Sequence, residues 1–199
     1  MNAPATTRDQ LLDCAQKLIR EHGCNGFSYR DLAERVGVKT SSIHYYFPSK
    51  DDLLLEAIQA YSTRIQARLR AIDESLPADV KLDCFVAYLE HALDGGEKLC
   101  MGGMLAAGLA SLSDRVAQAI QAFFRANEAW LAKVLAEGAE QGTLSFQGDP
   151  EAAGRALYAA LQGSALACRL FKTTDRLYEV AGVFRTGAAH AAARAPLPA

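Results

Sequence analysis

Apolar positions recur along this chain at intervals of three and four residues almost from end to end, which predicts a fold built from helices. The first periodic run covers about Thr7 to His22, with Leu11, Leu12, Ala15, Leu18 and Ile19 as its buried stripe and Gly23 as its stop. Phe27 leads into a shorter run, in which Leu32, Ala33 and Val36 share one face. Ser28 with Asp31 makes a capping-box-like start to it, and Gly37 ends it. A third helix opens at Lys39-Thr40-Ser41-Ser42 with Thr40 the expected N-cap, buries only Ile43 and Phe47, and stops at Pro48. A fourth begins at Ser49 and carries Leu53, Leu54, Ala57, Ile58, Tyr61 and Ile65. It is predicted to reach about Asp73, roughly 35 Å at the helical rise.

Ser75-Leu76-Pro77 is the first clear break, and a helix over about Ala78 to Leu93 follows, apolar over more than half its circumference. Met101 to Leu112 reads as a short helix of small residues. Ser113-Asp114 caps a long one reaching about Gln141, and Asp149-Pro150-Glu151 is a strong start for another, to about Leu170. The last helix is expected over Asp175 to His190, with Leu177, Val180, Ala181, Phe184 and Ala188 on its apolar face. Ala156, Ala160, Gly163 and Ala167 line one side of the preceding helix, and small residues so spaced let helix axes approach closely. A terminal pair this apolar either closes the chain's own core or meets a partner. Residues 191–199, rich in Ala and Pro, are expected to fray.

The third helix is the informative one. So little of it is apolar that its exposed face must be its purpose, and that face is Lys39, Thr40, Ser41, His44, Tyr45 and Tyr46, almost all hydrogen-bond donors. Two short helices about a Gly turn make a helix-turn-helix, whose second helix fits a DNA major groove with its N-terminal residues at the base edges. Lys50, in the first turn of the next helix, works against that helix's dipole, and a phosphate near this terminus would account for it.

The run DLAERVGVKTSSIHYYFPSKDDLLLEA resembles the DNA-binding signature of the tetracycline-repressor (TetR) family of bacterial regulators, over roughly residues 7 to 60. The family's Tyr-Phe-x-x-Lys ending is matched by Tyr46-Phe47-Pro48-Ser49-Lys50, while His44 stands where the family more often has a tyrosine. The resemblance implies an all-α protein: an N-terminal three-helix helix-turn-helix DNA-binding domain at residues 1–50, an effector-binding and dimerisation domain at 51–190, and the tail beyond. It implies a ligand-responsive repressor that binds a palindromic double-stranded DNA operator as a homodimer through its last two helices. Lys39, Thr40, Ser41 and His44 are then placed for bases, and Ser28, Tyr29, Arg30, Tyr45, Tyr46 and Lys50 for phosphates, with Ser42 in the same opening turn.

Composition supports this picture and excludes others. The net charge of −2 does not by itself announce a nucleic-acid binder. Residues 1–50, however, hold seven basic side chains against five acidic ones, +2, leaving −4 for the remainder. MNAPATTRDQ has no apolar core of a secretory signal, and no segment is apolar enough for a bilayer. Five cysteines without a C-x-x-C pair fit a reducing cytoplasm. No nucleophile motif, phosphate loop or H-E-x-x-H is present, and the four histidines are widely spaced, so neither enzyme chemistry, a cofactor nor a metal site is expected. A helical enzyme or carrier using Cys100 or His91 is the rival from another class, and a protein–protein adaptor is the third reading.

For the effector, the candidate lining is Cys84, Tyr88, His91, Cys100, Met101, Met104, Phe123, Phe124, Trp130 and Tyr158, which would suit a small, weakly polar or electrophilic molecule. Met and aromatic residues at helical spacing are more often plain core than cavity lining. Cys100 stands near a helix start and Lys98, both of which favour a thiolate. Some TetR-like subgroups use a cysteine in this region as a sensor of electrophiles or oxidants. A free cysteine also packs well as a small buried hydrophobe.

Overall fold

The computed structural model describes residues 6–186. Among the described residues there are nine α-helices, two 3-10 turns and no strand. The helices are α1 (Thr7–His22), α2 (Tyr29–Val36), α3 (Thr40–Tyr46), α4 (Lys50–Arg70), α5 (Ala78–Leu93), α6 (Met101–Ala107), α7 (Asp114–Gln141), α8 (Pro150–Phe171) and α9 (Asp175–Gly182). They sort into two units. The first takes the chain up to Arg64 together with Met101–Phe123, and the second takes Ile65–Cys100 with the chain from Phe124 onward. The division falls within α4, which the sequence reading expects to be shared across a boundary near residues 48–50, and the segment from α6 to the start of α7 groups with the first three helices.

In the first unit, α1 buries Leu11, Leu12, Ala15, Leu18 and Ile19. Phe27, Leu32, Ile43, Phe47, Leu53, Ala57 and Ile58 complete that core. Helix α1 starts with a capping box between Thr6 and Asp9, and Gly23, at φ 80°, ends it in a conformation that suits glycine. One buried polar group spans this core: the Gln16 amide donates to the Ala57 carbonyl at 3.1 Å and its oxygen accepts from Arg64.

In the second unit, α5 is enclosed from Lys81 to Ala87, so even its charges are buried. Lys81 meets Glu137 at 2.6 Å, and Asp83 pairs with Arg185. Burial raises the Asp83 carboxyl above the usual carboxylate range, against the pull of Arg185. Helix α8 has two characters. Leu157, Tyr158, Leu161, Ala165 and Cys168 face inward, while Ala156, Ala160 and Gly163 face solvent and Ala167 is half-buried. The close approach inside this unit is made instead by Gly154, where a Cβ would stand 2.8 Å from the Glu128 carbonyl and 2.9 Å from the Ala132 nitrogen of α7.

Four element boundaries differ from expectation, the first being that α4 ends at Arg70 and not near Asp73. Lys39, not Thr40, is the N-cap of α3, and no side chain caps that helix. The helix expected over Met101–Leu112 ends at Ala107, and Leu109–Ser111 forms a separate 3-10 turn after Gly108. The helix expected to run to His190 ends at Gly182. Val183 and Phe184 form a turn, and Arg185 then pairs with Leu144 in an isolated antiparallel bridge, with Ser145 N donating to the Phe184 carbonyl at 2.8 Å and Thr186 N to that of Thr143 at 3.1 Å. Arg185 is held there by Asp79 and Asp83, which competes successfully with helix continuation. Ala188, His190 and the 191–199 tail lie outside the described residues.

Candidate nucleic-acid interface

The interface is assembled by local rules. Ser28 and Asp31 form a complete capping box, the Ser28 N–H and hydroxyl both donating to the Asp31 carboxylate at 2.7 Å. Those bonds hold the Asp31 carboxyl below the usual carboxylate range. Gly37, in the left-handed region at φ 77°, ends α2 and turns the chain into α3. Ser49 and Asp52 make a second box at the start of α4, with Ser49 Oγ donating to Asp52 at 2.6 Å and Asp52 N donating back at 3.1 Å.

Between these boxes α3 is anchored by two side chains, Ile43 and Phe47, both 0 % exposed. Lys39, Thr40, Ser41, His44 and Tyr45 are exposed, and Ser42 and Tyr46 are half-buried. Tyr45, at 81 % exposure, leans its ring edge-on against Tyr46 with centroids 5.1 Å apart. Because α3 has no side-chain cap, the N–H groups of Thr40 and Ser41 keep their capacity to donate outward, while that of Ser42 donates to the Lys39 carbonyl at 2.9 Å. Ser28 and Arg30 flank the face from α2, Arg30 sharing an exposed ion pair with Glu34 at 3.2 Å.

Two expected phosphate contacts are engaged internally. The Tyr29 hydroxyl donates to the Ser49 carbonyl at 2.6 Å and lies 3.0 Å from that of Phe47. Its one proton is shared between these acceptors. Burial, with the Asp52 charge, pushes this hydroxyl up to about 12. The phosphate role expected of Tyr29 is therefore corrected to an internal tie, because its proton is already committed. Lys50 donates to the Phe27 carbonyl, and its ammonium stands 4.4 Å from the centre of the Phe27 ring. Burial lowers its pKa below the ordinary lysine value. Two of its three donors remain for an outside acceptor.

The expected effector residues do not form a single set. In the second unit, Trp130, Phe85, Tyr158 and Phe124 form a series of ring contacts, of which Phe85 is not among the expected effector residues. Phe85 stacks on Trp130 at 5.5 Å and meets Tyr158 at 6.4 Å, while Phe124 meets Tyr158 edge-on at 5.2 Å. Cys84 is buried, and Tyr88 lies under Arg68 at 5.9 Å. Burial raises the pKa of both Cys84 and Tyr88. His91 is exposed, which corrects its place in an enclosed cavity. Met101, Met104 and Phe123 group with the first unit, where Phe123 packs on Tyr61 at 5.6 Å. Cys100 is 6 % exposed and buried, and the Lys98 ammonium expected to activate it donates to Asp94. A cleft of about 640 Å³ is lined by other residues, among them Arg125, Lys133, Asp149 and Arg155. Among the described residues no three His, Cys, Asp or Glu side chains are grouped to hold a metal ion. No described helix is long and apolar enough to cross a membrane.

Comparison with known proteins bears on this geometry. The family "Bacterial regulatory proteins, tetR family" matches residues 11–57, the stretch from α1 into α4. The HTH-type transcriptional repressor NemR of Escherichia coli K12 is 25% identical over 176 residues, 86% of this chain and 88% of that one. A TetR-family transcriptional regulator from Agrobacterium tumefaciens superposes with a TM-score of 0.84 at 27% identity, covering 90% of this chain and 98% of the other. A TetR transcriptional regulator from Legionella pneumophila does so with a TM-score of 0.80 at 29% identity, covering 92% and 97%.

Proposed function

Since the chain belongs to the TetR family of bacterial regulatory proteins and is a transcriptional regulator, not an enzyme, we propose that it is a repressor released from its operator by a small effector. The observation that carries this reading is α3 itself, a seven-residue helix with two buried anchors and a face of exposed donors. The relative NemR, named a transcriptional repressor, supports the direction of control. In this reading Lys39, Thr40, Ser41 and His44 meet base edges, and Ser28, Arg30, Ser42, Tyr45, Tyr46 and Lys50 meet phosphates.

The operator is palindromic and the repressor a homodimer, as isologous pairing of two reading heads requires. What supports the dimer is the outward face of α8, where Ala156, Ala160 and Gly163 continue into the exposed Leu166, Leu170 and Phe171. The effector is small and weakly polar or electrophilic, favoured by the aromatic group around Phe85 or by covalent modification of Cys100. It acts by binding the DNA-free arrangement more tightly than the DNA-bound one.

A gel shift with the DNA upstream of the protein's own reading frame tests the reading, with a retarded complex expected. Lys50→Ala is expected to weaken operator and random DNA alike, with a shallower salt dependence. An unbiased duplex selection that returns no preferred sequence overturns the proposal. Normal release of a Cys100→Ser variant by electrophiles would leave the repressor standing and remove the cysteine from its mechanism.

A further inference from the structure

Within the first unit, the segment that follows α6 lies like a strap against the turn after α1 and the start of α4, touching them at three alternate positions. Ser111 accepts from the Asn25 side chain at 3.0 Å and lies 3.9 Å from the Cys24 sulfur. Ser113 hydrogen-bonds Asp51, which with Arg115 holds that carboxyl below the usual carboxylate range. Arg115 bridges two neighbouring carboxylates, Asp51 at 2.7 Å and Asp52 at 3.0 Å. The strap's approach is close: a Cβ on Gly108 would stand 2.6 Å from the Cys24 sulfur.

Asp52 is not an arbitrary acid. Its other oxygen completes the Ser49 capping box, and the Ser49 carbonyl is the nearer acceptor of the Tyr29 hydroxyl. The same hydroxyl reaches the carbonyl of Phe47, the last anchor of α3, and the Tyr29 ring lies 4.9 Å from that of His44 on the exposed face. Arg115, Asp52, Ser49 and Tyr29 thus make an unbroken series of polar contacts ending on both the exit and the outward face of α3. An isolated ion pair as exposed as Arg115, at 58 %, would contribute little. In this one a single nitrogen, Nη2, serves both acids and is joined to two capping bonds, a network of the kind in which surface charges do matter.

We propose that Arg115 is a positioning residue for DNA reading, which sets the pose of α3 through Asp52, Ser49 and Tyr29 without touching DNA. The proposal rests on the repressor reading above and adds to it a residue remote in sequence from the helix-turn-helix. It requires that loss of Arg115 blunt sequence discrimination, because a loosened α3 still meets phosphates but no longer holds its donors against particular base edges.

The test measures wild type, Arg115→Ala, Tyr29→Phe and the double variant against a selected operator and a random duplex over a range of salt. For Arg115→Ala, operator affinity is expected to fall about 5-fold or more while random-duplex affinity stays within about 2-fold. The salt slope is expected to match wild type, and the double variant to lose less than the sum of the single losses. Arg115→Lys, which can keep one charged nitrogen beside both acids on a shorter side chain, is expected to restore part of the discrimination. A salt slope reduced by about one makes Arg115 a direct phosphate contact and overturns the proposal. Equal losses on both duplexes with a lowered melting temperature overturn it in favour of a merely structural role, and unchanged operator affinity overturns it outright. Failure of wild type itself to select any operator overturns the repressor reading instead.

Discussion

Truncating Ile43 to alanine examines how the recognition helix is held. A seven-residue helix without a side-chain cap has too few internal hydrogen bonds to persist alone, so α3 depends on what its two anchors bury. Ile43 is fully enclosed. Alanine in its place removes three carbons, about 2.4 kcal/mol of transfer free energy at roughly 0.8 kcal/mol per methylene. A residual cavity adds to this, for a total of about 3–4 kcal/mol within the range measured for such truncations. That lowers the ratio of folded to unfolded protein by more than about 100-fold. Ile43→Val removes one carbon and is expected to cost about 1 kcal/mol. Urea unfolding followed by far-ultraviolet circular dichroism measures both, with the midpoint shifting and the slope unchanged. A loss below about 1 kcal/mol for Ile43→Ala, or equal losses for the two variants, would show that α3 is held by something other than this anchor.

Three other outcomes are expected. Gly154→Val forces a side chain between α8 and the α7 backbone, where nothing flexible can yield, and should cost about 1–3 kcal/mol in thermal melts; an unchanged melting temperature contradicts the close approach. Hydrogen bonds from Ser28 and Ser49 hold Asp31 and Asp52 below the usual carboxylate range, so the unfolded chain binds the protons first as pH falls. The stability they contribute is present above the ordinary carboxylate range and lost as pH drops through their lowered values. Ser28→Ala and Ser49→Ala should flatten urea midpoints measured from about pH 6 to about pH 3, and a slope as steep as wild type counts against the caps. Tyr29, raised to about 12, contributes stability that is whole below the ordinary tyrosine value and lost as pH climbs through the raised one. Tyr29→Phe should remove a late-ionising phenol from the tyrosinate absorbance curve, and an identical curve would refute its burial beside the Asp52 charge.

The helix-turn-helix was legible in the sequence because each of its parts is a local event. Ser28 reaches an N–H three residues on, Gly37 supplies a left-handed φ without a Cβ penalty, and Ile43 and Phe47 fall four apart on one face. The boundaries of α5, α7 and α8 followed from the same rules, each set by a cap or break within a few residues. The effector residues were less legible, since Met and aromatic side chains at helical spacing look the same whether they fill a core or line a cavity. Phe85 is absent from the expected set for that reason, although it links Trp130 to Tyr158 in the aromatic group.

By itself, then, the sequence determined what depends on neighbours a few residues away: nine helical stretches, their caps, and a polar recognition face. Tertiary structure decided whatever needs a partner from a distant part of the chain. The Tyr29 hydroxyl meets carbonyls about twenty residues ahead, Arg115 meets acids more than sixty behind, and Arg185 ends the last helix by binding α5. A hydrogen bond is specified by the separation of two atoms in space, and helical periodicity carries that separation for only a turn or two before packing has to supply it.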